Sequence, residues 1–497
     1  MKTSLIFLFL IASFFVRSLR WLGVLQQKEY RMDRLLLYLI SSEGIKELFR
    51  IIPKKNDFTR TGLKRPKLTA RSILMSILFV VVTFVYFSYA NIIGKEFLLN
   101  WYPYPLWYNL ILFILVALIF LIFIPLFAMI SALPTALLAY LQTYKRLIQA
   151  KKILDRKKPK IIGITGSYGK TSTKLLLNHV LSKKYSVFKT PKSFNTKYSV
   201  ANSIVRGYKD EEIAIIEYAA YKKGEIKELT KWVKPNLAII TGLTNQHVGL
   251  FGTLEDIIKA KAELVSSLAK NSQVICNCYD EKTKRIYDES NSKAQLIQVK
   301  PELGQIKISN ARIDDQAKLQ FKWGESVVKT QLVGAQYVEI VHMVITTALQ
   351  FDMKKESIIE AIESFNPHEK FIVTYNLANG VKVIDDGDTS NPKGFEAMIK
   401  LAKSYKASQK VLISPGIVDL GKDSREVHLD LAQKTKKVFD KVIYVGEAGK
   451  ADFKSVWSDE LLTTSDQLKE VISSLDENDL LIIEGRMPSW ASQYLTA

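Results

Sequence analysis

Lys170 and Thr171 lie in the stretch Gly163-Ile-Thr-Gly-Ser-Tyr-Gly-Lys-Thr-Ser-Thr173, which the apolar pair Ile161-Ile162 precedes and a helix-like segment, Leu175 to Leu181, follows. A strand, a glycine loop and a helix in that order present backbone N–H groups and a helix N-terminus to phosphate. Lys170 would reach the β- and γ-phosphates, and the Thr171 hydroxyl would sit on Mg²⁺. The strict phosphate-loop pattern has a glycine where this chain has Ile164, so the match is to the Gly-Lys-Thr core with Gly166 before it. The stretch reads as a nucleoside triphosphate site. Glu217 closes the apolar run Ile213-Ala-Ile-Ile-Glu. A carboxylate at the carboxyl end of a strand beside a phosphate loop is an expected Mg²⁺ ligand. Two further residues say little by pattern alone. His247 is a loop histidine after Thr241-Gly-Leu-Thr-Asn-Gln, and Lys261 is a helix lysine downstream of a capping box, Thr253 to Asp256.

These side chains need a scaffold. From Lys160 onward short apolar runs alternate with helical segments, the signature of a parallel α/β sheet. The expected strands are Ile161–Thr165, Ser186–Thr190, Ile213–Glu217, Leu237–Thr241, Gln273–Asn277 and Leu296–Val299. Short alternating runs between Ile306 and Val333 predict hairpins, and helices follow at Tyr337–Phe351 and Lys355–Phe365. A second α/β unit starts near Phe371, with strands at Val381–Asp386, Val411–Ser414, Lys441–Val445 and Leu480–Glu484.

The first 160 residues differ in kind. The chain of 497 residues has a formal net charge of +21, and residues 1–160 carry 24 Lys/Arg against 7 Asp/Glu. Three apolar stretches lie there: Ser4 to Val16, which extends to Leu25 if Arg17 and Arg20 snorkel; Ile73 to Ala90; and Leu106 to Ile130, continuing toward Leu141. They read as three membrane spans and not as a cleaved signal peptide. Basic residues crowd the loop between the first two spans and the segment after the third, whereas Asn91 to Pro105 holds only Lys95 and Glu96. The positive-inside rule then puts the N-terminus outside and the large C-terminal part in the cytoplasm, where ATP is found. A basic region confined to apolar spans points to an anionic cytoplasmic membrane leaflet and not to nucleic acid. Cys276 and Cys278 have the spacing of neither a disulfide framework nor a zinc site.

Taken in order, Thr165-Gly-Ser-Tyr-Gly-Lys-Thr171, Glu217 with Gly224-Glu225-Ile226, Lys234-Pro-Asn, Thr241 to His247 and Ala260-Lys261-Ala-Glu263 resemble the Mur ligase family. Asp385-Asp386 to Asn391-Pro392, and Leu420-Gly421 followed by His428, look most like the type that adds D-alanyl-D-alanine to UDP-N-acetylmuramoyl-tripeptide. The resemblance covers residues 158–497 and implies an ATP-dependent amide-bond ligase of peptidoglycan precursor synthesis working through an acyl phosphate. The membrane region (1–155) stands where the family has an N-terminal UDP-sugar domain, and the resemblance implies a central phosphate-loop ATPase domain with a parallel sheet (156–335), a helical connection (336–368) and a Rossmann-like C-terminal domain (369–497). By matching position, Gly166, Ser167, Gly169, Lys170, Thr171, Ser172, Asn277, Asp386 and Asn391 would contact the nucleotide. Thr171 and Glu217 would hold one Mg²⁺. His247 and Lys261, the latter as a carbamate, would serve a second Mg²⁺, and Lys170, His247 and Lys261 form the catalytic set. Asn195 would face the acceptor, a muramoyl peptide that is UDP- or lipid-linked, with D-Ala-D-Ala as the amine. The chain departs from the family at Ser199 and Ala201, at Gly334-Ala-Gln336-Tyr337, near Lys370 and at Asp388-Thr389. Two alternatives remain: a ligase for a different acid and amino acid, or a catalytically reduced nucleotide-binding scaffold for cell-wall enzymes at the membrane.

Overall fold

The computed structural model describes residues 2–28, 30–40, 42–50, 52, 66–99, 106–244, 248–301, 306–368, 371–387 and 390–495. It divides into two compact units, Met1–Lys145 and Arg146–Ala497.

In the second unit, β1 (Lys160–Thr165), β2 (Val187–Lys189), β3 (Ile213–Glu217), β4 (Leu237–Ile240), β5 (Gln273–Asn277) and β6 (Gln295–Val299) form a sheet in the order β2-β3-β1-β4-β5-β6. All its pairings are parallel. The inner strands β1, β3, β4 and β5 are covered on both faces, which is why they read as apolar runs. Ile162, Ile164, Ile215 and Ile239 pack on one side with Leu176, Leu177 and Val180 of the helix Lys170–Leu181. Ile161, Ala214, Ile216 and Ala238 pack on the other with Val200, Ile204 and Leu154. Because β1 lies between β3 and β4, the chain leaves it to one side and later returns on the other. The loop after β1 therefore opens at the point where strand order reverses, where open α/β sheets bind their ligands.

The expected hairpins are a three-stranded antiparallel sheet of β7 (Ile308–Ile313), β8 (Lys318–Trp323) and β9 (Ser326–Val333). A second six-stranded sheet has the order β10-β11-β15-β12-β13-β14. Its strands are β10 (Val373–Asn376), β11 (Lys382–Asp386), β12 (Lys410–Ser414), β13 (Lys441–Tyr444), β14 (Leu461–Leu462) and β15 (Leu480–Glu484). Only the edge strand β10 runs antiparallel. A single apolar cluster runs from Ile162 of the first sheet through Phe365 and Phe371 to Ile384 and Ile482 of the second.

The first unit is helical: Lys2–Gln27, Met32–Ile40, Ser42–Leu48, Ala70–Leu99, and the start of a 52-residue helix, Leu106–Lys157, that contains Pro125 and Pro134. Among the described residues one helical stretch, Ile119–Lys157, is long and apolar enough to cross a membrane, and Ala70–Tyr86 is a shorter apolar one. Of the three expected spans, length and composition therefore support one here. Arg17 and Arg20 do not snorkel. Both are buried. The Arg17 guanidinium donates to Leu121 O at 3.1 Å and Leu48 O at 2.9 Å, and Arg20 pairs with both Glu47 oxygens at 2.6 and 2.9 Å. Orphan carbonyls at the end of the helix Ser42–Leu48 thus receive their donors from an arginine in an apolar setting.

Candidate active site

β1 delivers the chain into Gly166-Ser-Tyr-Gly169, and Gly169 caps the following helix in the left-handed region at φ 76°. Gly166 has φ 153°, and a Cβ there would stand 2.1 Å from Thr241 Oγ1. The turn is closed by Ser167 N–H donating to Gly242 O at 2.7 Å and by the Thr241 hydroxyl donating to Tyr168 O and to Thr165 O, the latter at 3.2 Å. A backbone held this way leaves the first amides of the helix Lys170–Leu181 without intrahelical acceptors. That is a cradle for an anion.

Two lysines converge on one carbonyl of this loop. Lys170 Nζ donates to Gly166 O at 2.7 Å and to Ser167 O at 3.3 Å, and Lys261 Nζ donates to the same Gly166 O at 3.0 Å. Lys261 is buried on the helix Leu254–Ser266, whose N-terminus Thr253 caps by accepting from Asp256 N–H at 3.1 Å. Burial first, and then the neighbouring Lys170 charge, pulls the Lys261 amine well below the usual lysine range. Burial also lowers Lys170, against the pull of Glu217. Glu263, two residues on from Lys261, accepts from Gly224 N–H at 2.6 Å and Lys227 N–H at 2.9 Å. It caps the helix Glu225–Trp232, so that part of the motif serves the scaffold.

Glu217 ends β3 directly beside β1, its backbone in register with Ile164. Its side chain is fully buried, and Lys174 Nζ lies 2.6 Å from Oε1. Thr171 Oγ1 stands 3.2 Å from Ser193 Oγ, in the loop that carries the half-buried Asn195. Ser172 sits in the first helical turn. Thus Lys170, Thr171, Glu217 and Lys261 come together round the loop after β1, while His247 lies outside the described residues. Among the described residues no three His, Cys, Asp or Glu side chains gather as a metal site. A hydroxyl and one strand-end carboxylate next to a phosphate cradle still fit Mg²⁺, which is bound through one or two carboxylates, water and substrate phosphates.

Other expected contacts hold the architecture. Asn277 is buried, donating to Thr241 O at 2.7 Å and to Glu339 Oε2 at 2.8 Å. Asn391 accepts from Gly394 N–H at 3.0 Å and so caps the helix Pro392–Ser404. Tyr337, at a departure from the family pattern, accepts from Ile372 N–H at 3.0 Å. His428 accepts from Ile417 N–H through Nε2 at 3.1 Å, which leaves Nδ1 protonated to donate to Ser424 O at 2.7 Å. Cys276 and Cys278 are free and buried.

Two groupings were not visible in the sequence. Lys393, at the start of the helix Pro392–Ser404, pairs with Glu339 at 3.0 Å, donates to the Tyr168 hydroxyl and lies 4.8 Å from that ring's centroid. It ties the second α/β sheet's first long helix to the phosphate loop. Asp386 ends β11 next to Glu484 at the end of β15. Burial, then the Asp386 charge, raises the Glu484 carboxyl well above the usual range, while Ser390 Oγ donates to its Oε1 at 2.7 Å.

The family model for the Mur ligase middle domain matches residues 164–348, which hold this loop, Glu217, Lys261 and Asn277. Similar chains include the UDP-N-acetylmuramoyl-tripeptide–D-alanyl-D-alanine ligases of Bacillus subtilis (24% identical over 310 residues, 60% of this chain and 65% of that one) and Borreliella burgdorferi (28% over 309 residues, 60% and 64%). The chain thus spans just under two thirds of the length of these curated relatives. Among solved structures, MurF of Acinetobacter baumannii aligns with a TM-score of 0.64 at 20% identity, covering 71% of this chain and 79% of that one. The MurF ligase of Thermotoga maritima in complex with ADP aligns at 0.62 and 22%, covering 71% and 82%. At such identities the likeness establishes the fold alone.

Proposed function

We propose that this chain is a membrane-anchored, ATP-dependent acid–amino-acid ligase of peptidoglycan precursor synthesis, joining D-Ala-D-Ala to a muramoyl-tripeptide that is UDP- or lipid-linked. The observation that carries the reading is the convergence of Lys170 and Lys261 on Gly166 O beside the buried Glu217, inside a Mur ligase middle domain. The similar chains bear the name of that ligase. ATP and Mg²⁺ would supply a γ-phosphoryl group and charge neutralisation, so that the acceptor carboxylate becomes an acyl phosphate that the amine attacks with loss of phosphate.

The chain's own residues then have distinct tasks. Lys170 and the loop amides hold the phosphate oxygens in place, which is most of what a loose phosphoryl transfer asks of a protein. Thr171 and Glu217 would hold one Mg²⁺. Burial, and then the Lys170 charge, pulls the Lys261 amine well below the usual lysine range, which favours the uncharged form that reaction with CO₂ requires. That reaction would release a proton and turn the buried amine into a carbamate anion suited to a second Mg²⁺, with His247 as a further ligand. Asn195 would face the acceptor. Lys393 ties the second sheet to the loop after β1, and Asp386 would contact the nucleotide.

Anchoring rests on the first unit. The stretch Ile119–Lys157 is apolar and long enough to span, and the helix Ala70–Leu99 turns Ile73, Ile77, Val80 and Phe84 outward. Soluble helices rarely show such a face. With basic residues flanking these segments, the positive-inside rule would orient the anchor so that the ligase unit faces the cytoplasm. The full-length protein in detergent should release phosphate from ATP only when a muramoyl-tripeptide acceptor and D-Ala-D-Ala are both present, with the amide product seen by mass spectrometry. Phosphate release indifferent to the amine would overturn the assignment.

A further inference from the structure

We propose that Lys174 is a positioning residue that locks the acceptor-side loop, residues 190–196, onto the phosphate-binding helix; the loop's role rests on the ligase reading above. Lys174 lies one turn beyond Lys170 on the helix Lys170–Leu181, and it is fully buried. Its ammonium makes two contacts that belong to different parts of the site. One is the ion pair with Glu217 Oε1 at 2.6 Å, both side chains at 0% exposure. The other is a hydrogen bond to the backbone carbonyl of Lys192.

Lys192 is a left-handed residue, φ 46°, in a tight turn closed by Phe194 N–H donating to Pro191 O at 3.0 Å. The next residue, Ser193, meets Thr171 Oγ1 at 3.2 Å. Thr171 and Lys174, three apart and so on one helix face, therefore grip successive residues of the turn that leads into Asn195. A buried ammonium costs desolvation that an apolar side chain of the same volume avoids. An apolar side chain, however, could not donate to Lys192 O while holding the Glu217 carboxylate. The lysine fixes the distance between the strand-end carboxylate and the acceptor loop, so both are set from the helix that carries the phosphate site.

Hydrogen–deuterium exchange of the full-length, nucleotide-free protein tests this without turnover. In Lys174→Met, peptides covering residues 190–196 should exchange about tenfold faster or more than in wild type. The double variant Lys174→Met/Glu217→Met replaces both charges by apolar groups, a change that buried pairs often tolerate, so β1 and β3 stay protected and only the loop loosens. A loop protected as in wild type in the double variant would overturn the proposal. It would do so even if the single variant unfolds. In steady state, Lys174→Met should raise the acceptor KM about tenfold more than the ATP KM; equal rises would contradict it. The exchange result concerns the loop whatever reaction the site performs, whereas a wild-type protein without amine-dependent turnover would remove the ligase reading and leave the Lys174 contact intact.

Discussion

Lys170→Ala should lower kcat/KM for ATP-dependent coupling by about 10³-fold or more, measured as amine-dependent phosphate release by the solubilised protein. The expectation follows from where the ammonium sits. It already lies at the mouth of the loop, 2.7 Å from Gly166 O and 3.3 Å from Ser167 O, and phosphate oxygens are far better acceptors for it than those carbonyls. Removing one preorganised cation from a water-poor site costs several kcal/mol of transition-state stabilisation, and about 4 kcal/mol corresponds to 10³-fold. Folding should hardly notice. Burial already disfavours the Lys170 charge, so its loss relieves a desolvation cost as two hydrogen bonds disappear. The melting temperature should therefore move by no more than about 4 °C. A variant that keeps more than a tenth of wild-type activity would show that the loop does not grip the transferred phosphate.

Lys261→Ala should lower kcat by about 10²-fold or more, and formate or acetate should restore part of it. The amine donates to Gly166 O from a buried position, and burial with the Lys170 charge pulls its pKa well down, the direction that favours reaction with CO₂. If the carbamate carries the function, truncation to alanine leaves room for a short carboxylate to take its place. Rescue is then the discriminating readout, because a lysine that only braces the loop would lose activity with no recovery from added anions. Full activity in Lys261→Ala would end the assignment.

The parts legible in the sequence were those whose chemistry is local. Strands β1, β3, β4 and β5 are buried on both faces and so appear as apolar runs between turn residues. The phosphate loop declares itself through glycine spacing, and Glu217 through its place at a strand end. By contrast β10 is an exposed antiparallel edge strand, and β14 has two residues, too few for any periodicity. Nothing in the sequence marks Lys174 or Lys393. Their partners, Glu217 and Lys192 for one and Glu339 and Tyr168 for the other, are distant in sequence and meet only through tertiary packing. Asn391 shows the opposite limit: Asn before Pro is a helix-start signal, and the structure gives it that capping job. In the first unit the helices Met32–Ile40 and Ser42–Leu48 hid within a run of basic residues, and the burial of Arg17 and Arg20 depends on the helix end and carboxylate supplied there.

In the proposed reaction the site after β1 activates an acid by phosphoryl transfer before the amine arrives. An acceptor labelled with ¹⁸O in its reacting carboxylate tests this in a single turnover. One labelled oxygen should appear in the released phosphate, because the oxygen that attacks the γ-phosphorus leaves with it when the amine attacks the carbonyl carbon. Unlabelled phosphate alongside amide product, or labelled acceptor recovered intact while ATP is hydrolysed, would contradict the account.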